Sequence, residues 1–212
     1  MTSSLSPFLR DHPPIRAGLD WLLTHDPRFA GAGLTHADLT ADMQGGLSFE
    51  SLARVIVGQH LSTKAAATIW ARVARSCDIH DPRMVASVSD ETLRSCGLSR
   101  QKIRYLQGLA DKIIKDEFDP SKLAHAPDKD VVAAITAIDG FGVWSAHMAL
   151  IFHLGRPDVW PSGDLGVREG LRVYLCRADR PSVAETESIG QSLFSGRRTA
   201  AALLLWRMKE KK

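Results

Sequence analysis

Apolar residues recur along the chain at intervals of three or four positions, the spacing of one face of an α-helix. Phe49, Leu52 and Ile56 form one such stripe, which stops at Gly58. Further stripes with this spacing are Ala66, Ile69 and Val73; Ile103, Leu106, Leu109 and Ile113; Val131, Val132 and Ile135; Met148 and Ile151; and Ala200, Leu203 and Leu204. Sustained alternation of apolar and polar residues, the pattern of strands, does not occur. The sequence therefore predicts an all-α fold.

Polar residues that commonly start helices precede several of these stripes. Ser62, Ser99 and Asp128 are each expected to cap the helix that follows. Residues 182–185 (SVAE) fit a capping box, in which Ser182 and Glu185 satisfy each other's backbone N–H groups. We expect two helical lobes joined by loops that proline residues mark.

Residues 138–146 (IDGFGVWSA) join two of the apolar helical segments and contain two glycines, Gly140 and Gly142. Glycine adopts positive φ freely and allows another molecule to approach the backbone closely. The first N–H groups of the next helix lack intrahelical acceptors and can bind an anion such as a DNA phosphate. An ordinary helix–loop–helix connection would explain the two glycines alone equally well.

Composition restricts the class of protein. The chain has 212 residues, of which 44% are hydrophobic and 24% charged, as in globular proteins with a sizeable core. No apolar run reaches the ~18 residues of a membrane helix, and residues 1–6 lack the features of a signal peptide. Cys77, Cys96 and Cys176 are few and far apart, which favours a reducing compartment and excludes an iron–sulfur cluster with four cysteine ligands.

The formal net charge of +3 permits nucleic-acid binding without indicating it. Basic residues gather in two places, which are Arg100, Lys102 and Arg104, and Arg197, Arg198, Arg207, Lys209, Lys211 and Lys212. A solvated helix face explains each cluster as well, and is the favoured interpretation for Lys211 and Lys212.

One carboxylate, Asp164, follows Gly142 by 22 residues, at the end of a Gly/Pro-rich loop spanning residues 155–166 (GRPDVWPSGDLG). Its position before an apolar segment is typical of a helix N-cap. A carboxylate can cap a helix and also take part in catalysis, because the positive end of the helix holds it ionised and fixed. Asp158 is the competing carboxylate, but it follows Pro157 and is expected in an exposed turn.

Taken together, these segments resemble the helix-hairpin-helix (HhH-GPD) superfamily of DNA glycosylases. The resemblance includes residues 52–66 (LARVIVGQHLSTKAA), 97–106 (GLSRQKIRYL) and 198–206 (RTAAALLLW), and runs from Leu47 to Met208. It points to the DNA-3-methyladenine glycosylase II branch in a short form, since 46 residues before Leu47 are too few for that branch's extra N-terminal domain.

The resemblance implies one glycosylase domain over residues 1–212, with lobes at 47–142 and at 1–46 plus 143–212 and the hairpin at the cleft. Asp164 matches the catalytic aspartate. Trp144 stands where relatives that also nick DNA have a lysine, so we expect base release without strand cleavage. Trp144, Met148 and Trp206 are the expected walls of the base pocket.

The same resemblance assigns DNA contacts to two short segments. His60 occupies the position of the residue that fills the gap left by a flipped nucleotide. The expected contacts are Gln59, His60, Leu61, Ser62, Gly140, Gly142, Ser145 and Arg198. Main-chain carbonyls of Thr136, Ile138 and Phe141 are expected to hold a structural Na⁺ or K⁺ ion, and no cofactor is expected for catalysis.

The expected partner is duplex DNA containing alkylated bases. We expect the protein to bind it as a monomer, and we expect no membrane partner. We expect the protein in the cytoplasm, associated with the nucleoid, if it is bacterial, and in the nucleus if it is eukaryotic. No general acid accompanies Asp164, and a purine methylated at N3 or N7 is already cationic and leaves without protonation. Two alternatives stay open at this point, namely a glycosylase for mismatched adenine or uracil and a non-catalytic module that binds damaged DNA.

Overall fold

The computed structural model describes residues 8–210, and within this range the protein is all-α, as predicted. Residues 1–6, Lys211 and Lys212 lie outside the described residues. The α-helices are α1 (Pro13–His25), α2 (Pro27–Gly31), α3 (Phe49–Gly58), α4 (Thr63–Ser76), α5 (Pro82–Ser87), α6 (Asp90–Ser95), α7 (Arg100–Ile114), α8 (Asp128–Thr136), α9 (Val143–Met148), α10 (Leu165–Tyr174), α11 (Val183–Leu193) and α12 (Arg198–Met208).

Other regular structure is short. Three 3₁₀ turns occur at Leu9–Asp11, His36–Asp38 and Pro120–His125, and α9 continues as a π turn at Ala149–His153. The only β pairing between described residues is an isolated bridge between Phe8 and Asp42. None of the described helices is long and apolar enough to cross a membrane.

The chain forms two compact units. One combines the chain up to Gly45 with the chain from His147 onward, and the other runs from Gly46 to Ala146. In the second unit α7 is central, because α3, α5 and α6 all pack on it. Its inward face consists of residues predicted from the apolar spacing, with Ile103, Leu106 and Leu109 fully buried.

In the first unit α12 is the central helix and packs against α1 and α10. Residues 199–205 are buried on every side of the helix, which is why its sequence shows so little polarity. Contact with α10 is close because Gly170 lies against the backbone of Leu205, whose carbonyl oxygen would be 2.2 Å from an added Cβ. Small residues thus allow α12 to become the core of this unit.

The predicted caps are confirmed at Ser62, Ser99 and Ser182, whose side chains each accept a backbone N–H of the following turn. The prediction for Asp128 is wrong. Asp128 is the first residue within α8 and Pro127 is the N-cap residue, because Pro127 already has the extended backbone of that position. The Asp128 carboxylate still lies in the first turn, where the helix dipole favours it.

Candidate functional site

Asp164 is the N-cap of α10, and its carboxylate is held by two N–H groups. Oδ1 accepts the backbone N–H of Val167 at 2.8 Å and the indole N–H of Trp206 at 2.8 Å. The predicted capping role is therefore confirmed. A carboxylate at a helix N-terminus is favoured in its ionised form by the positive end of the dipole. The Asp164 carboxylate is therefore half-buried and fixed in its orientation.

The Trp206 ring lies between Asp164 and a second aromatic residue. It stacks on Phe152, with ring centroids 5.8 Å apart and an interplanar angle of 18°. Gly166 makes room for it, since a Cβ at that position would be 2.7 Å from Trp206 Cδ1 and 3.0 Å from Asp164 Oδ1. The stacking and this gap together set the direction of the indole N–H.

Asp158 lies in a turn, as expected, but it is half-buried and not exposed. Its carboxylate accepts both Nε and Nη2 of Arg198 at 2.8 Å and the Arg198 backbone N–H at 3.1 Å. Burial alone would raise the pKa of Asp158, but the hydrogen bonds from Arg198 outweigh burial and lower it. This bidentate pair fixes the Gly/Pro-rich loop to the start of α12. Sequence reasoning missed it because 40 residues separate the partners.

The pairing also gives Arg198, a predicted DNA contact, a structural role. The neighbouring Thr199 strengthens the same junction, because its hydroxyl donates to the Arg156 carbonyl at 2.6 Å and accepts the Val159 N–H at 3.0 Å. Arg198 is thus an anchor for the loop that carries Asp164, whatever further contact it makes.

The hairpin at residues 138–142 depends on one of its two glycines. Gly140 has φ of +90°, and a Cβ there would be 2.3 Å from the Tyr105 ring. Gly142 has no positive φ and nothing within 4 Å of an added Cβ, so of the two hairpin glycines only Gly140 uses the conformational freedom of glycine. Past the turn, Val143 and Trp144 are 54% and 48% exposed.

The turn that follows α3 is tied to this hairpin. The Gln59 side-chain amide donates to the Gly140 carbonyl at 2.7 Å. Lys102 donates from Nζ to the carbonyls of Val57 at 2.8 Å and Gln59 at 2.7 Å, and so caps the C-terminus of α3. Burial lowers the pKa of the Lys102 ammonium.

His60 and Leu61 project from the turn that these contacts hold. His60 is exposed and has φ of +57°, a conformation that few residues other than glycine adopt. Leu61 is 37% exposed, and Ser62 starts α4. A groove of about 320 Å³ runs beside the turn and is lined by Gln59, His60, Leu61, Gly97, Ser99, Gln101, Lys102 and Tyr105.

The predicted site residues thus fall into two groups. Gln59, His60, Leu61 and Ser62 belong to the same unit as Gly140, Gly142, Trp144 and Ser145, whereas Met148, Asp164, Arg198 and Trp206 belong to the other. Ser145 is buried, so its side chain is not a surface contact. Met148 is half-buried.

The carbonyls predicted to hold a monovalent ion lie at the end of α8 and in the hairpin. The Ile138 carbonyl accepts the Phe141 N–H at 3.1 Å, which closes the turn and leaves its second lone pair for another partner. Side chains of His, Cys, Asp or Glu within residues 8–210 form no group that could hold a metal ion. Main-chain oxygens are therefore the candidate ligands for an ion at the hairpin.

Several residues of the two basic clusters make contacts within the protein that the sequence did not indicate. Lys102 is a helix cap, Arg197 lies 3.8 Å from the centroid of the Trp21 ring, and Arg207 pairs with Glu210. The sequence places Lys102 in a basic cluster and does not indicate the contacts of Tyr105 or Phe152. Their roles come from tertiary contacts that apolar spacing does not encode.

Comparison with known proteins agrees with this geometry. Residues 53–195 match the model of the HhH-GPD superfamily base excision DNA repair protein family. The chain is 31% identical over 163 residues to DNA-3-methyladenine glycosylase 1 of Schizosaccharomyces pombe, covering 75% of this chain and 71% of that protein. It is 34% identical over 150 residues to DNA-3-methyladenine glycosylase of Saccharomyces cerevisiae, covering 64% of this chain and 48% of that protein.

A solved structure is similar over nearly the whole chain. It is the Schizosaccharomyces pombe 3-methyladenine DNA glycosylase Mag1 in complex with abasic DNA, with a TM-score of 0.76 and 26% identity, covering 90% of this chain and 95% of that one. The hairpin, the turn after α3 and the capped Asp164 all occur within or beside the matched family region, and the chain belongs to the HhH-GPD superfamily of base excision DNA repair proteins.

Proposed function

We propose that this protein is a monofunctional DNA glycosylase that releases alkylated purines, such as 3-methyladenine and 7-methylguanine, from duplex DNA. Two relatives are named DNA-3-methyladenine glycosylases, and the similar solved structure is that of such an enzyme with abasic DNA, the product of base release. The observation that carries the proposal is the Asp164 carboxylate, fixed by two N–H donors at the start of α10.

The chemistry needs little more than this carboxylate. The bond between C1′ and the purine nitrogen breaks and its electron pair neutralises the cationic base, which leaves without protonation. The sugar becomes oxocarbenium-like, and the Asp164 anion stabilises it and orients the water that adds to C1′. The proton of that water passes to the carboxylate or to solvent, and an abasic site remains.

The protein is expected to leave the abasic strand intact. Trp144 stands two residues after Gly142, where the lyase members of this superfamily have a lysine. An indole cannot form the Schiff base through which an amine breaks the strand. Its half-exposed ring can instead stack on a cationic purine, and Met148 lies four residues further along α9.

DNA binding would use the second unit. The hairpin around Gly140 approaches a phosphate, which positions the protein without reading sequence. His60 would fill the stack vacated by the flipped nucleotide, and its left-handed backbone carries the imidazole out from the end of α3. A Na⁺ or K⁺ ion on the carbonyls of Thr136, Ile138 and Phe141 would bridge the hairpin to the phosphate. It is structural, and EDTA should leave activity intact.

Replacing Asp164 with Asn tests the proposal. An Asn side chain keeps the volume and the oxygen that accepts the two N–H groups, but it removes the charge. Release of 7-methylguanine from a defined duplex should fall by at least a hundredfold while binding to abasic DNA persists. Asp179→Asn, which makes the same change at an exposed position of the same unit, is the matched control.

Three outcomes would contradict the proposal. Near-wild-type release by Asp164→Asn would remove the catalytic assignment. Release from adenine or uracil mispairs, with none from alkylated duplexes, would indicate a mismatch glycosylase. Binding to damaged duplexes with no release of any base would indicate a non-catalytic module.

A further inference from the structure

We propose that Trp206 is a positioning residue for Asp164: its indole N–H fixes the plane and the direction of the carboxylate. The inference rests on the proposed function, in which Asp164 is the catalytic carboxylate. It differs from the role expected from sequence, where Trp206 was only a wall of the base pocket.

The contact itself is the first support. Trp206 Nε1 lies 2.8 Å from Asp164 Oδ1, within the range of hydrogen bonds to charged acceptors. The same oxygen accepts the Val167 N–H at 2.8 Å. Two donors that converge on one oxygen from different helices restrain rotation of the carboxylate about its χ2 bond, which is otherwise a soft torsion.

The surroundings of the ring show that this contact is built into the packing. Trp206 is fixed by stacking on Phe152 and by its place on the buried helix α12. Gly166 is the residue that lets the indole reach the carboxylate, since any side chain there would meet both groups. A tryptophan that served only as an apolar wall would need neither the gap at Gly166 nor an N–H aimed at Asp164.

The chemical consequence follows from the orientation of the carboxylate. Asp164 stabilises the oxocarbenium-like sugar and orients the attacking water only while its oxygens face C1′. Removing the N–H should therefore slow base release and leave DNA binding unchanged.

The test is the rate of single-turnover release of 7-methylguanine by Trp206→Phe, which keeps an aromatic ring against Phe152 and lacks the N–H. This rate should fall by about tenfold, the scale of one hydrogen bond to a charged group. In the Asp164→Asn background the same substitution should change the residual rate by less than about twofold, because the carboxylate that it positions is already lost. Binding to abasic DNA should change by less than about twofold, since only the carboxylate is affected.

Gly166→Ala is the second variant, and its folding can be checked separately by circular dichroism. Its methyl group displaces the ring and also meets Asp164 Oδ1, so it should lower the rate of release as Trp206→Phe does. An equal loss from Trp206→Phe in the wild-type and Asp164→Asn backgrounds would mean that Trp206 acts independently of the carboxylate, and it would overturn the inference.

The result for Asp164→Asn shows whether the positioning role alone is wrong or the proposed function is wrong as well. If that variant is inactive while Trp206→Phe retains the wild-type rate of release, the positioning role is wrong and the proposed function stands. If Asp164→Asn remains active, the proposed function loses its catalytic residue and the role of Trp206 falls with it.

Discussion

The side-chain amide of Gln59 donates a hydrogen bond to the main-chain carbonyl of Gly140, which lies 81 residues further along the chain, at 2.7 Å. The bond joins the turn that carries His60 to the glycine hairpin. Both segments are proposed to contact DNA, the first at the lesion and the second at a phosphate. The Gln59 side chain therefore links the two segments directly, and the Lys102 cap holds the turn from which Gln59 reaches the hairpin.

Gln59→Ala should weaken both stability and DNA binding. Loss of a part-buried hydrogen bond should lower the free energy of unfolding by about 1 kcal/mol. Without this bond the turn is no longer tied to the hairpin, so binding to abasic DNA should weaken several-fold. This loss should exceed what the lower stability alone would cause. Urea unfolding and fluorescence anisotropy measure the two effects. Gln107→Ala is the control, because the Gln107 amide also donates a part-buried hydrogen bond to a carbonyl, that of Val88 at 3.0 Å, and lies outside the turn and the hairpin.

The two hairpin glycines should respond differently to alanine. Gly140→Ala puts a Cβ into the Tyr105 ring at positive φ, so it should lower the free energy of unfolding by roughly 2 kcal/mol or more. Gly142→Ala meets nothing and should stay within about 0.5 kcal/mol of wild type. Thermal unfolding of both variants measures the two losses of stability and so tests this prediction. Equal losses would show that the close approach of Tyr105 is not what requires glycine.

His60→Ala should affect lesion binding and leave folding intact. The imidazole is exposed, so its removal costs no packing. If it fills the vacated stack, binding to abasic DNA and the rate of base release should each fall about tenfold, since stacking in a flipped site is worth a few kcal/mol at most. Binding to undamaged duplex should change little. Wild-type behaviour on both duplexes would transfer the role to Leu61.

Asp158→Asn should destabilise the protein in a pH-dependent manner. At neutral pH the variant leaves Arg198 without its bidentate partner, at a cost of about 2 kcal/mol. Arg198 lowers the pKa of Asp158, so the contribution is present above the ordinary value of 3.8 and is lost as pH falls through the lower folded value. The difference between wild type and variant should therefore be constant near pH 7 and shrink below about pH 4.

Urea unfolding from pH 7 down to pH 3 measures this dependence. A difference that stays constant over the whole range would mean that the lost stability does not come from the charge of Asp158. Arg198→Lys is a companion variant, since a lysine keeps the positive charge but cannot make the bidentate contact. It should recover only part of the wild-type stability.

Local chemistry predicted the starts of several helices and the all-α class. Ser62, Ser99 and Ser182 cap helices because a hydroxyl competes well for the first N–H groups, a preference that needs no tertiary contact. Asp164 was identifiable for the same reason, with the resemblance adding its proposed role. Short helices such as α5 and α6 have too few apolar positions to show a spacing, and they were not predicted.

The contacts that shape the site were not predictable in this way. The Asp158–Arg198 pair and the Trp206–Asp164 bond join residues 40 and 42 positions apart, and neither partner shows in the sequence which residue it will meet. Lys102 looked like part of a basic surface cluster, yet two carbonyls at the end of α3 engage it. Such roles depend on how helices pack, which apolar spacing alone does not specify.

The π turn at Ala149–His153 should make this part of the chain the place where a one-residue deletion is best tolerated. A π turn holds one residue more than an α turn. Deleting one residue there would restore α geometry and leave the segments on either side close to their present orientation. A regular helix such as α12 has no surplus residue, so a deletion within it would rotate the side chains beyond the deletion by about 100°. Descendants of this sequence that lose a residue should therefore lose it at the π turn rather than within the buried helices.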